Sequence, residues 1–385
     1  MTTIRPSVIP ALVLLGTVQC AHAQYGPLTY PFESPADPRS VAMGISFVAL
    51  PADPAALLYN PAGLAGLRGT EVSYAHRRLD LASDGWSIYS VNATVATSFG
   101  VFAAQYNREY TGPMSVTTPS YPDGNGSVMS IYAHDLAIGF ALDVARGLSL
   151  GVAAKYYDYV ESIFGPLNGA PPPWTSTPAY LVDFGLTYTL PKLHAQSVIE
   201  DSITVGLSFQ NIGSQWNVTY HYDPALLFST PTSLSTQLPE FFRIGLSYAM
   251  KVRPAVEGNL SPFAAVVSGE FRTLMDPHNT HYSPETGLSY GGFGLECTIF
   301  EILSLRAGVT YKPYSDFESD KNSPSFRYGA GVRFPGRDIG VNIPLSVSLD
   351  YTLVPLSWPG ILEYPRASIG TARTFSFGLQ YSDFP

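Results

Sequence analysis

The chain has 385 residues, of which 45% are hydrophobic and only 13% charged, about half the ~25% expected of an ordinary soluble domain. Its 34 glycines, 33 prolines, 25 tyrosines and 21 phenylalanines argue against a helical bundle, because Gly and Pro break helices while aromatics prefer pleated sheet. A formal charge of -9 and a pI near 5.2 leave no basic stripe interleaved with aromatics, so nucleic acid is not an expected partner.

At the N-terminus, Arg5, an apolar run from Val8 to Val18 and then Ala21-His22-Ala23 before Gln24 have the order of a secretory signal peptide. Residues 1–23 are therefore predicted to be removed, which implies export. Cys20 invites a lipoprotein reading, but Val18-Gln19 places no small residue just before it. The mature chain keeps only Cys297, so it forms no internal disulfide. Beyond the signal there is no apolar run near the ~20 residues that a membrane-spanning helix needs.

Residues 24–68 carry seven prolines, from Pro27 to Pro61, and show no alternation. They are predicted to form an N-terminal plug, with short helical turns at Pro38–Met43 and Pro54–Tyr59, since Pro is tolerated in a first helical turn. From about Thr70 to the C-terminus apolar residues alternate with small or polar ones, the period of a two-faced strand. The turn signals divide this stretch into about fourteen strands of roughly ten residues, near 70–79, 86–98, 101–112, 128–144, 148–160, 179–190, 202–212, 241–250, 262–274, 286–299, 303–313, 325–335, 344–354 and 373–382. Ten residues is the length a tilted strand needs to cross a bilayer.

The fourth segment is the sharpest: Leu136, Ile138, Phe140, Leu142 and Val144 share one face and Asp135, Ala137, Gly139, Ala141 and Asp143 the other. Links alternate between short (Phe99-Gly100, Ala145 to Gly147, Phe300 to Ile302) and long (Gly213 to Glu240, Pro355 to Ala372), as in outer-membrane barrels with short periplasmic turns. The predicted fold is all-β: a transmembrane antiparallel up-and-down barrel over residues 69–385, in the outer membrane of a Gram-negative-type bacterium, with both barrel termini periplasmic. A secreted β-sandwich would also alternate, but its polar face would be rich in Lys and Glu rather than Gly, Ala, Ser and Thr.

Asp37-Pro38-Arg39-Ser40-Val41-Ala42-Met43-Gly44-Ile45-Ser46-Phe47-Val48-Ala49-Leu50, followed by Leu58-Tyr59-Asn60-Pro61-Ala62-Gly63-Leu64, resembles the N-terminal region of the PorV/PorQ group within the FadL-like outer-membrane barrels. Gly206 to Gly213, Phe242 to Tyr248 and the stretch from Gly294 to Gly308 fit the same pattern. Ile45 departs from the usual run of small residues after Met-Gly, and the chain ends on Pro385 rather than on an aromatic. The PorV/PorQ likeness implies a non-enzymatic component of type IX secretion that binds or attaches secreted cargo. The wider FadL-like likeness implies instead a channel for hydrophobic small molecules, with Phe47, Leu50, Leu57, Leu58 and Leu64 either lining an apolar pocket beside the plug or serving as plug packing.

Three residue sets are candidate sites. Asn60, Pro61, Ala62 and Gly63 are a plug latch, or else a local turn, which Asn-Pro favours. Trp174, Trp216, Tyr220, Tyr222, Leu226, Leu227, Phe228 and Trp358 fall on the long outer links, as a surface for secretion-system proteins and cargo or as an interfacial aromatic belt contacting outer-membrane lipid. Asp135, Asp143, Asp183, Arg243, Glu270, Glu296, Arg306, Arg327, Arg333 and Asp350 face inward, both signs together, as a charge network bracing barrel and plug. His278 and His281 near Asp276 supply too few ligands for a metal centre. No cofactor is expected, and no catalytic triad or phosphate loop has the context it needs.

Overall fold

The computed structural model describes residues 36–80, 86–110, 112–115, 126, 128–164, 174–191, 198–220, 232–256, 260–275, 289–311, 324–336, 344–356 and 370–381. The expected signal segment and the first part of the plug segment, through residue 35, lie outside them.

Fourteen strands form one closed antiparallel barrel: β1 (Thr70–Asp80), β2 (Trp86–Thr97), β3 (Gly100–Tyr110), β4 (Val128–Ala145), β5 (Leu148–Phe164), β6 (Ala179–Pro191), β7 (Ile199–Gly213), β8 (Phe241–Val252), β9 (Phe263–Leu274), β10 (Tyr290–Ile299), β11 (Leu303–Tyr311), β12 (Pro324–Pro335), β13 (Leu345–Leu356) and β14 (Gly370–Tyr381). Each strand pairs with its sequence neighbours, and β1 closes the ring on β14 with Thr70 opposite Tyr381. The strands expected from period two are the strands observed. Among them β4 and β5 run longest, because their ladder continues to Val128 opposite Phe164, beyond the ~10 residues a bilayer crossing needs.

Short turns sit at one rim. Ile302 N–H donates to Ile299 O (3.0 Å) across a two-residue turn in which Phe300 and Glu301 both have positive φ. That is a turn whose twist matches antiparallel strands. Both β1 and β14 end at this short-turn rim. At the opposite, long-link end, Thr232–Gln237, Gln215–Tyr220 and Trp174–Ser176 make a separate three-stranded sheet.

The two faces of the wall differ as the alternation requires. Ile138 (58% exposed), Phe184 (50%), Leu305 (50%) and Phe326 (52%) point outward. Apolar residues recur this way around the whole outer wall, which is tolerable only against lipid. Inward positions such as Ala137, Ala141, Thr187 and Ser208 are buried, because a plug fills the space they face.

The register of the ladder shifts at Asp143/Ala145 on β4 and again beside the plug on β6. Between β6 and β7 the register shifts at Val182/Phe184, and Asn211 takes φ 62°, a left-handed conformation Asn tolerates. Its N–H donates to Asp183 Oδ1 (2.7 Å). Consequently Gln210 and Asn211, neighbours in sequence, are both buried.

Candidate functional site

The described part of the plug begins with a short helix, α1 (Pro38–Ala42), capped by Asp37, whose carboxylate accepts the Ser40 N–H (2.6 Å). A second helix, α2 (Ala56–Tyr59), leads through Asn60 into a 3-10 segment over Pro61–Gly66. These fall where the prolines predict helical turns.

From α1 to Val48 the plug follows the inner wall in reverse strand order, then reaches β4 at Leu57 and returns to β6 and β5 at Asn60 to Ala62, resting on wall glycines along the way. Ala42 lies on Gly329 of β12; Met43 and Gly44 lie on Gly308 of β11 and on Gly292 and Gly294 of β10. Val48 lies on Gly245 of β8 and Gly206 of β7, Asn60 to Ala62 on Gly185 of β6 and Gly151 of β5, and Leu57 on Gly139 of β4. A Cβ on any of these wall glycines would stand under 3.0 Å from the plug. The small inward face is thus a set of recesses shaped for the plug.

The chain turns sharply at Gly44 and Ile45, with φ 66° and 58°. At Gly44 a Cβ would also meet Phe293 O at 2.5 Å, so glycine is required there. Ile45 is a β-branched residue in the left-handed region, a strained state. Burial of its side chain and the bond from its N–H to Ser40 O (2.9 Å) hold it.

Asn60 is wholly buried. Its Nδ2 donates to Val48 O within the plug (2.7 Å) and to Leu186 O on β6 (3.0 Å), while its Oδ1 accepts the Ala62 N–H (3.2 Å). The Asn60 amide therefore makes a local turn and a wall contact together. Pro61 and Ala62 carry the backbone over Gly151, and Gly63 packs against Ala56 and Leu50.

Three polar hubs join plug to wall. In the first, Arg39 pairs with plug Asp53 (2.5 Å) and with Glu296 of β10 (2.7 Å), and Glu296 also accepts from Arg306 (2.5 Å), which in turn pairs with Asp350. In the second, Glu270 Oε1 accepts from Arg243 (2.6 Å) and Tyr290 OH (3.1 Å), while its Oε2 accepts the N–H groups of Phe47 (2.7 Å) and Val48 (2.8 Å). Gln210 completes it, accepting from Arg243 Nε (2.5 Å) and donating to Leu58 O (2.6 Å). In the third, Lys155 pairs with Asp183 (2.5 Å) and donates to Asn211 Oδ1 (3.1 Å), with buried Asp135 in the field of both charges. Arg327 is buried on β12 and donates to Thr310 (3.1 Å).

Two expected members of the network lie elsewhere. Asp143 is exposed at the short-turn rim, where it accepts from Ser149 (2.6 Å). Arg333 is likewise exposed and donates to Gln380. Both occupy inward parity, but at the rim that parity faces solvent rather than the lumen. Arg39, Asp53, Gln210, Asn211 and Tyr290 belong to the hubs without having been singled out by sequence. Of these only Arg39 carries a signal, as the one cation of the plug's first helical turn.

Of the two readings of the apolar plug residues, packing is the one observed. Phe47 and Leu50 cluster with Met43, Ile45, Ala55, Tyr59 and Tyr290, and Leu57 and Leu64 with wall residues Val101, Ala103, Ala137, Ala141 and Ala153. A cavity of about 460 Å³ opens at the short-turn rim, between plug residues Pro51, Ala62 and Gly66 and the wall at Asp143 to Gly147, Ser149, Thr187 and Thr189.

On the outer links, Trp174, Trp216 and Tyr220 fall in the separate three-stranded sheet, with their side chains outside the described set. Tyr222, Leu226, Leu227, Phe228 and Trp358 lie outside the described residues altogether, as do His278 and His281. Among the described residues no group of three His, Cys, Asp or Glu could hold a metal.

The structure is that of a transmembrane β-barrel whose lumen is occupied by its own N-terminal segment. No family model matches the sequence, and no curated protein does. Among solved structures the chain is similar to the toluene transporter TodX of Pseudomonas putida, at 11% identity over 89% of this chain and 96% of that one, TM-score 0.49. It is also similar to a Pseudomonas aeruginosa FadL homologue (15%, 90% and 98%, TM-score 0.47) and to the CymD monoaromatic hydrocarbon channel (12%, 91% and 98%, TM-score 0.46).

Proposed function

We propose that the protein is a non-enzymatic outer-membrane channel for small hydrophobic molecules, with its short-turn rim in the periplasm and the plug as its gate. A barrel with an apolar outer wall around a lumen closed by a separate segment carries this reading. The rim cavity of about 460 Å³ is lined by Asp143, Arg146, Ser149 and two threonines as well as apolar groups; its walls come jointly from plug and barrel, so it marks where plug movement would open a passage rather than an apolar binding pocket. The apolar clusters around Phe47 and Leu57 mark where a hydrophobic solute could replace plug contacts at little desolvation cost. The test is uptake by proteoliposomes of radiolabelled toluene and of a long-chain fatty acid against a sugar of similar mass. Hydrophobic solutes should enter several-fold faster than into empty vesicles; equal rates, or a sugar that passes as fast, would sink the proposal.

A second reading follows the resemblance to the PorV/PorQ group and makes the same barrel a platform for secreted protein. It draws on the three-stranded sheet at the long-link end, which sets Trp174, Trp216 and Tyr220 on one structured element. Copurification of secreted cargo with the intact protein, lost when those three residues become Ser, would favour it.

A further inference from the structure

On the inner wall of β2 to β4 a patch of side-chain oxygens lacks donors. Asn92 of β2 stands directly opposite Gln105 of β3, near the middle of both strands. Both are on the inward face and buried, at 7% and 2% exposure. Their amide N–H groups are spent sideways: Gln105 Nε2 donates to Ser90 Oγ (3.1 Å) and Asn107 Oδ1 (3.1 Å), and Asn92 Nδ2 donates to Ser90 Oγ (3.4 Å) and Ser73 Oγ (3.5 Å). Asn92 Oδ1 and Gln105 Oε1 accept no hydrogen bond from the protein. On β4, Asp135 lies opposite Asn107 and is 3% exposed, and its Oδ1 likewise has no donor. One strand spacing and a two-residue offset place Asp135 about 8 Å from Gln105. Buried acceptors without donors are rare and costly, and three on neighbouring strands call for a ligand that brings O–H or N–H groups.

The surroundings narrow its class. Toward the short-turn rim the patch meets Ala103 and Ala137, which pack with plug residues Leu64 and Leu67. Toward the long-link rim it meets Ala75 and Ile88, which pack with plug residues Ala36 and Val41. The acceptors therefore lie between two apolar surfaces, each covered by the plug. Charges of both signs flank them: Lys155 opposite Ala137, Arg77 opposite Ile88, and Glu109 two residues beyond Asn107. An ammonium would face the two cations and a carboxylate the two acids, Glu109 and Asp135, whereas a hydroxyl supplies a donor without a charge to desolvate.

We propose that this patch binds the hydroxyl of an uncharged amphiphile, a phenol or an alcohol, on its way through the barrel. The inference rests on the channel reading above and narrows its solutes to molecules that pair a hydrocarbon body with a neutral donor. The hydrocarbon body replaces plug contacts on the alanine-rich wall to either side, and the hydroxyl donates to Gln105 Oε1 or Asn92 Oδ1, with water serving the acceptors it does not reach.

The test irradiates the full-length protein in proteoliposomes with 4-hydroxybenzophenone or 4-methoxybenzophenone, at a pH low enough to keep the phenol protonated, and maps the cross-linked peptides by mass spectrometry. The phenol should label the β2–β4 peptides roughly fivefold more than the ether, the ratio expected from one added hydrogen bond. Gln105→Leu, and separately Asn92→Leu, should bring the two probes level, whereas Ser268→Ala, which removes a buried unpartnered hydroxyl on β9, should keep the preference. Should one Leu variant fail to assemble, the other and the wild-type comparison decide the matter. Equal labelling by the two probes, a preference that survives in both Leu variants, or equally strong labelling by 4-carboxybenzophenone would each overturn the proposal. Uptake of hydrophobic solutes without any such preference overturns this proposal and leaves the channel standing; absence of both uptake and labelling overturns the two together.

Discussion

Glu270 on β9 holds Val48 of the plug through the backbone: one carboxylate oxygen accepts the Phe47 and Val48 N–H groups while the other is taken by Arg243 and Tyr290. The same side chain thus neutralises a buried wall cation and caps two plug donors.

Replacing Glu270 with Ala should therefore cost more than a surface mutation. Its side chain and that of Arg243 are 0% and 3% exposed, and leaving one member of such a pair costs about 3–5 kcal/mol. Thermal unfolding of the purified barrel should show a large drop for Glu270→Ala and a smaller one for Glu270→Gln, which keeps an acceptor. Equal melting of all three would mean that the hub carries no stability.

The glycine recesses give a steric test. A Cβ at Gly206 would collide with the backbone of Val48, whereas one at Gly269 meets nothing within 4 Å. Gly206→Ala should raise single-channel conductance in planar bilayers by loosening the plug; Gly269→Ala should match wild type.

Asn60 offers a polar counterpart. Asn60→Ala removes the donor to Val48 O and to Leu186 O, at about 1–3 kcal/mol for the buried Val48 acceptor. Asn60→Asp sets a carboxylate against the same two carbonyls and should do worse. Trypsin cleavage after Arg39 or Arg68 reports plug release, and the order wild type, Ala, Asp in cleavage rate is the expected result.

The outer and inner faces should fail in different ways. Ile138→Arg places a charge in lipid, costing roughly 2–4 kcal/mol near the midplane, and should abolish heat-modifiable migration. Ala137→Arg meets a plug-filled lumen and should leave the barrel folded but raise trypsin cleavage after Arg68.

Protonation of the plug gives a pH test. Burial, with Asp53 nearby, pushes the Asp37 carboxyl up to about 6 from 3.8. A group raised on folding lends stability at low pH that is lost as pH climbs through its folded value. Asn at that position can still cap α1. Thermal melts of wild type and Asp37→Asn should therefore differ little at pH 4 and favour Asp37→Asn at pH 8. A difference that is constant with pH would show that Asp37 does not titrate on folding.

The strands were legible because period two is a purely local signal, and the barrel because short and long links alternate. Pairings across the lumen were not. Glu296 meets Arg39, 257 positions away, and no local pattern encodes that. Parity also misled at the rims, where Asp143 and Arg333 keep the inward phase after the lumen has ended. At Asn211 the bulge broke parity, so Gln210 and Asn211 face inward together. Phe47 and Leu57 were legible as apolar but not as closely packed, since a hydrophobic residue that lines a pocket and one that fills it look alike in sequence.

The glycine track also acts during assembly. A strand slipped by one residue turns every side chain to the wrong face, but a slip of two keeps lipid and lumen faces correct. Such a slip would put Asp183 or Thr187 where Gly185 belongs, Thr204 or Ser208 in place of Gly206, and Arg306 or Thr310 in place of Gly308. The plug could not seat against any of these, so it serves as a gauge that only a correctly registered barrel admits.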